Sequence, residues 1–384
     1  MSILARIAAT QLPNTLDDAP VMTKEDYARQ ARGASTPLRF ATSSSGVPAP
    51  YARPEHMGCL TADAFRLAGM TADDAQLNLA APAPHPSGWM AQKGANAIGA
   101  TPLNHDFTDW ERPIREGTGA EATVLSSIPA KALDLADEVA SAHGQPREIF
   151  PNLEVGFLTG HLLRPGTRRE LRDRWGLETT REFYGSSEAG MVAGAIDESR
   201  RMVPLLHRLI LEIEVNGEII DIRDIDRPTE GSLLISDPAR TSIDLTRYRQ
   251  GDQVRVYPDD PLPRIKPLGR EDDAVDFAGA LVHPSDLFEA VDETIPTASN
   301  ALAVVYENEQ QVSLEVYIER PDDVDTIAFY EALCDRQPAL HHAIGERPAE
   351  RISAIAVKDL GSLSFVNDDG LKGRRIVFMS DRDE

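Results

Sequence analysis

Leu153-Glu-Val-Gly-Phe-Leu-Thr-Gly160, then Arg168-Arg-Glu-Leu-Arg-Asp-Arg-Trp-Gly176, then Thr180-Arg-Glu-Phe-Tyr-Gly-Ser-Ser-Glu-Ala-Gly190 together decide the fold. The first segment is a short apolar run closed by glycine, the pattern of a buried strand. The second is a charged helical run that stops at Gly176, since glycine accepts the left-handed backbone that ends helices. The third begins as a short strand and enters a Gly/Ser loop. Strand, helix and strand in that order predict a largely parallel α/β sheet.

Upstream, Leu133–Ala142 reads as an amphipathic helix and Thr123–Leu125 as one of several short apolar runs between helices. Thr23, three residues before Asp26, is placed to cap a helix. Downstream the texture changes. Leu209–Ile222 alternates around Asn216-Gly217, a type I′ hairpin signal, and Gly231–Asp237 and Asp252–Tyr257 add strands. Pro267–Asp273 reads as a linker into a small α+β unit, where Val312, Leu314, Val316 and Ile318 alternate along one strand. The expected fold class is therefore a large N-terminal α/β domain, 1–269, with a β-rich subdomain at about 203–260. A small C-terminal α+β domain, 270–384, follows it.

Composition narrows the function. A chain of 384 residues exceeds one compact core, and 41% hydrophobic with 26% charged residues is globular. No run of about eighteen apolar residues occurs, so no membrane span is expected. The opening residues lack an apolar leader core with a cleavage site, and the chain reads as mature protein. Cys59 and Cys334 are the only cysteines, too few for a disulfide framework or a Cys-ligated metal. A reducing cytoplasm is expected and zinc is not. The net charge of −23, spread along the chain, disfavours nucleic acid and anionic membranes as partners. Six lysines against 33 arginines single out each lysine for inspection.

Five short motifs follow in order: Ala41-Thr-Ser-Ser-Ser-Gly-Val-Pro48, Phe183-Tyr-Gly-Ser-Ser-Glu-Ala-Gly190, Thr246-Arg-Tyr-Arg-Gln-Gly-Asp252, Leu268-Gly-Arg-Glu-Asp-Asp-Ala-Val-Asp-Phe-Ala-Gly-Ala-Leu-Val-His-Pro284 and Gly370-Leu-Lys-Gly-Arg-Arg-Ile-Val377. Singly, each has a plainer reading: a flexible turn, a capped helix start, a turn dipeptide, a solvated basic tail. As an ordered set, they resemble the adenylate-forming superfamily, and within it the phenylacetate–CoA ligase-like branch. The resemblance covers nearly the whole chain from about residue 20.

The resemblance implies ATP-dependent activation of a small, aromatic or short acyl, carboxylic acid as acyl-AMP, followed by transfer to a thiol, CoA first. ATP, Mg²⁺ and CoA are the implied cofactors, the acid the substrate, and a homodimer an open assembly. Ser44, Ser45 and Gly46 match a phosphate loop whose backbone N–H groups cradle phosphates. Tyr184 and Gly185 match the adenine-binding turn, with Tyr184 stacking on the base. Ser187 would bond a phosphoryl or acyl oxygen, and Glu188 would give Mg²⁺ a hard carboxylate. Asp252 would accept both ribose hydroxyls, and Arg270 would reach ribose or phosphate. Asp272 falls at the hinge, Gly279 where a pantetheine arm passes backbone, and Gly160 at a further adenine contact. Lys372 would stabilise charge at the α-phosphate as pyrophosphate leaves.

Departures from the pattern accompany it. Ser43 replaces a glycine, Val47 a lysine and His161 an acid, and Asp252–Arg264 carries no cysteine for the branch's structural zinc. An amine, a carrier protein or nitrite therefore stands as an alternative acceptor. A degenerate nucleotide-binding homologue is the alternative from another class.

Overall fold

The computed structural model describes every residue except 1, 17, 37, 41–48, 52–53, 82–84, 105–110, 116–120, 161–162, 278–279, 297, 299, 308–311, 320–323, 345–350, 359, 361–362, 364–375 and 381–384. It divides into two compact units, Met1–His161 with Leu171–Pro267, and Leu162–Glu170 with Leu268–Glu384.

In the first unit, α1 (Ile3–Ala9) and α2 (Lys24–Gly33) precede a short hairpin of β1 (Leu38–Phe40) and β2 (Ala49–Tyr51). The expected cap on α2 is present: Asp26 N–H donates to Thr23 Oγ1 while the Thr23 N–H donates to the Asp26 carboxylate. Next come α3 (Pro54–Leu67), β3 (Ala75–Asn78), α4 (Pro86–Ile98), β4 (Thr101–Asn104), α5 (Arg112–Arg115), β5 (Val124–Ser127), α6 (Pro129–Ala142), α7 (Pro146–Ile149) and β6 (Val155–Thr159). The series continues with α8 (Pro165–Trp175), β7 (Thr179–Ser186), β8 (Gly190–Gly194) and β9 (Val203–Pro204).

These strands form a seven-stranded sheet in the order β4-β3-β5-β6-β7-β8-β9, parallel through β7 and antiparallel beyond it. The chain steps one way from β3 to β4 and the other way from β5 through β7. Right-handed crossovers then place α4 on one face and α6 and α8 on the other. The reversal beside β3 is the topological switch point, where sheets of this kind open a crevice at the carboxyl ends of their strands. Phe65 of α3 packs against Phe157 and Phe183, with ring centroids 5.0–5.2 Å apart. Trp175, on α8, is 1% exposed and donates its indole N–H to the Ala132 carbonyl of α6 at 2.9 Å.

A five-stranded sheet follows, built from β10 (Ile210–Val215), β11 (Glu218–Asp221), β12 (Thr229–Ser236), β13 (Tyr248–Tyr257) and β14 (Arg264–Arg270), in the order β11-β10-β12-β13-β14. Asn216 and Gly217 both have positive φ and join β10 to β11, which is the I′ geometry. The stretch Pro267–Asp273, read as a linker, is built of regular elements: β14 runs to Arg270 and a single 3₁₀ turn, Glu271–Asp273, follows it, while the division between the two units falls at Pro267 and Leu268. The strand read at Asp252–Tyr257 begins earlier, at Tyr248, so most of the third motif lies within β13.

The second unit holds a hairpin of β15 (Val275–Phe277) and β16 (Ala280–Val282), then α9 (Pro284–Thr294), β17 (Asn300–Glu307), β18 (Val312–Glu319), α10 (Thr326–Arg336), α11 (Ala339–Ile344), β19 (Ile352–Val357) and β20 (Ile376–Ser380). Its sheet has the order β19-β18-β17-β20. Leu314, Val316 and Ile318 face Phe288, Phe329 and Leu333 in a dry core, as the alternation in β18 requires. Within this unit Arg164 and Asp292, each 1% exposed, form a two-point ion pair at 2.9 and 3.2 Å.

Candidate active site

Two clusters in the first unit gather the motif residues. One is the turn between β7 and β8. Ser186 Oγ accepts the Ala189 N–H at 3.0 Å and closes it. Gly185 is required, because a Cβ there would overlap the Gly190 carbonyl and come within 3.0 Å of the Met191 Cα. Ser187 is half-buried, whereas Glu188 is only 4% exposed. A carboxylate on the Gly/Ser loop read from the sequence would ordinarily be exposed, and the structure buries it instead. The turn folds inward because its carbonyls are held from below: the Tyr51 hydroxyl donates to Ser187 O at 2.8 Å and Glu188 O at 3.2 Å, and Arg240 donates to Glu188 O. Burial pushes the Tyr51 hydroxyl up to about 12, with the Arg240 charge pulling it partly back, so it stays a protonated donor at neutral pH.

Tyr51 ends β2, which pairs with β1 in the register Leu38↔Tyr51, Arg39↔Pro50 and Phe40↔Ala49. The strand that follows the first motif in sequence is thereby tied to the turn of the second.

The other cluster joins Tyr184 to Asp252. The Tyr184 hydroxyl donates to Asp252 Oδ2 at 2.7 Å, and Gln250 Nε2 donates to both, at 2.6 Å to each. Local geometry explains the meeting. Between Ser232 and Leu234 of β12 the register jumps from Gln253 to Arg249, a bulge in β13 with Gly251 at φ +88°. The extra residues bend the strand and bring both Gln250 and Asp252 to Tyr184. Gln250 is 4% exposed, and its Oε1 has no partner among the described residues.

The other expected residues stand as follows. Gly160 ends β6 with φ +87°. In the second unit Arg270 is half-buried at the end of β14, and Asp272 is exposed on the 3₁₀ turn. Ser44, Ser45, Gly46, Val47, His161, Gly279 and Lys372 lie outside the described residues. Sequence reasoning missed Gln250, Tyr51 and Arg240. The first had a signal, two residues before Asp252 on a strand; the other two lie outside every motif.

Among the described residues no group of three or more His, Cys, Asp or Glu side chains gathers to enclose a metal. Mg²⁺ needs no such group, because it binds through one or two carboxylates with phosphates and water completing its shell.

No protein-family model matches the chain. Over 237 residues it is 24% identical to a phenylacetate-coenzyme A ligase of Pseudomonas putida, covering 60% of this chain and 52% of that protein, so the match spans about half the relative's length. A 2-hydroxyisobutyryl-CoA ligase in complex with 2-HIB-AMP superposes with a TM-score of 0.73 at 17% identity, over 98% of this chain and 85% of that one. The chain shares the fold of that CoA ligase. ATP-bound MatB from Rhodopseudomonas palustris shares it at TM-score 0.60 and 16% identity, over 85% of this chain and 65% of MatB. On this ligase fold, the β7–β8 turn and the Tyr184–Gln250–Asp252 cluster occupy the carboxyl end of β7 and the β13 strand beside it.

Proposed function

We propose that the chain adenylates a small carboxylic acid with ATP and transfers the acyl group to CoA. The observation that carries this reading is the Tyr184–Gln250–Asp252 cluster, which joins two motifs separated by more than sixty residues through a shared carboxylate. A carboxylate held by two donors keeps one oxygen committed and presents the other, which suits a pair of ribose hydroxyls.

In the first step a substrate carboxylate oxygen bonds to the α-phosphorus of ATP, the bond to the β-phosphate oxygen breaks, and pyrophosphate leaves. Positioning and charge stabilisation supply the rate. Tyr184 and Asp252 bind the nucleoside, Ser44, Ser45 and Gly46 the outer phosphates, and Ser187 an oxygen at the reacting centre. Lys372 meets the charge that develops on the α-phosphate. Mg²⁺, held by Glu188, would neutralise phosphate charge. In the second step the CoA sulfur bonds to the acyl carbon and AMP leaves, the thiol proton passing to solvent. Gly279 lines the thiol's approach, and Arg270 and Asp272 stand where the chain enters the second unit. Among the described residues no helix is long and apolar enough to cross a membrane, and we assign the reaction to the cytoplasm.

Val47 and Ser43 favour a second reading, a nucleotide-binding homologue that has lost catalysis. Acid-dependent exchange of labelled pyrophosphate into ATP, over a panel of aromatic and short acyl acids, separates the two. Exchange with any acid supports adenylation, and thioester formation on adding CoA, against hydroxylamine as a competing acceptor, supports the acceptor. Tight ATP binding with no exchange across the panel supports the second reading.

A further inference from the structure

Tyr51 and Arg240 belong to no motif, yet they join two of them. Arg240 is 8% exposed, and its guanidinium carbon lies 3.7 Å from the Tyr51 ring centroid. Its two terminal nitrogens donate to different carbonyls, Glu188 O and Pro50 O, the latter at 3.0 Å. Its Nε donates to Ser242 Oγ at 3.1 Å, and Ser242 donates in turn to Pro50 O at 2.8 Å. With the Tyr51 hydroxyl, four donors converge on the carbonyls of Pro50, Ser187 and Glu188. A planar fork stacked on an aromatic face meets the two carbonyls at a fixed spacing and orientation; an ammonium offers neither plane nor fixed spacing.

We propose that Arg240, seated on Tyr51, is a positioning residue that sets where the Glu188 carboxylate is presented to Mg²⁺. The clamp grips backbone on both sides of the site, the β2 strand and the β7–β8 turn, so loosening it displaces a carboxylate without removing it. The proposal rests on the reading of Glu188 as the metal ligand.

Calorimetric titration with ATP, once with Mg²⁺ and once with EDTA, tests it without turnover. The wild type is compared with Arg240→Lys and with Tyr51→Phe, which keeps the ring and its packing. In both variants the affinity gained from Mg²⁺ falls about 10-fold to 100-fold, the range for residues that orient a metal ligand. ATP affinity in EDTA stays within about threefold. A gain from Mg²⁺ equal to wild type in Tyr51→Phe and in folded Arg240→Lys overturns the clamp alone. A parallel fall with and without Mg²⁺ overturns it too, since the role is then structural. If the wild type itself gains nothing from Mg²⁺, the Glu188 reading fails and the clamp falls with it.

Discussion

Replacing Gln250 with methionine separates the binding role of the Tyr184–Gln250–Asp252 cluster from its structural one. Gln250 is buried, with its amide nitrogen 2.6 Å from both the Tyr184 hydroxyl and Asp252 Oδ2. Losing a donor to a carboxylate costs about 1.5–3 kcal/mol. The same substitution removes Gln250 Oε1, buried without a partner among the described residues, which recovers about 1–3 kcal/mol. The unbranched methionine fills a similar volume. The two terms nearly cancel, so the melting temperature moves by less than about 4 °C.

Nucleotide binding has no such compensation. Asp252 keeps the Tyr184 hydroxyl at 2.7 Å but loses its second restraint, and KM for ATP rises about tenfold, ~1.4 kcal/mol. Ribose contacts are the same in ground and transition states, so kcat stays within about twofold. Pyrophosphate exchange at saturating acid, with a melting curve beside it, reads both quantities. An unchanged KM with a fall of more than about 8 °C would refute the reasoning and make the cluster a scaffold.

Three further outcomes are expected. Lys372→Ala lowers adenylate formation by about 10²-fold while ATP affinity by calorimetry changes far less; unchanged exchange would reduce Lys372 to a solvated basic group. Asp63 is buried among Arg6, Arg66, His207 and Arg208; burial raises its carboxyl, but hydrogen bonds from His207 and Arg208 and the charges of Arg208 and Arg6 overcome this and hold it far below the usual range. A depressed folded pKa gives stability that is complete above the unfolded value of about 3.9 and is lost as pH falls below it, so Asp63→Asn should flatten the fall of melting temperature between about pH 4 and 2, and an unchanged slope would place the acid sensitivity elsewhere. Asp292→Ala strands the buried Arg164 charge and costs about 3–5 kcal/mol in urea denaturation, whereas Arg164→Met with Asp292→Leu stays within about 2 kcal/mol of wild type; equal losses would show that packing, not charge, governs that site.

Much of the fold is legible because it rests on local patterns. The buried run at Leu153–Gly160, the stop at Gly176 and the Asn216-Gly217 turn each specify backbone through their own residues, and the structure places β6, the end of α8 and the β10–β11 hairpin there. The misread stretches are those where partners override propensity. β7 continues through Tyr184, Gly185 and Ser186 because β8 pairs with them, although a Gly-Ser-Ser run alone reads as loop. β13, read from Asp252, begins upstream and takes in Gln250 and Gly251 because β12 absorbs them as a bulge. Leu162–Glu170 packs with the second unit while its sequence neighbours belong to the first, a placement that local pattern does not encode.

The site divides along the same line. Glu188, Tyr184 and Asp252, proposed to meet the nucleotide, are readable because groups with that task must stand in a fixed local order. Arg240 is not, since its partner Pro50 lies 190 residues away and neither neighbourhood carries a pattern. What Arg240 recognises is main chain, and carbonyl oxygens have no residue type to leave in a sequence. Residues that hold a motif by its backbone are therefore hidden from motif reading, and burial is their visible mark: Arg240, Tyr51 and Gln250 are each less than 9% exposed and polar. A buried polar group must find partners. Asking which partners these three found leads from the fold to the support of the proposed metal carboxylate and nucleoside site.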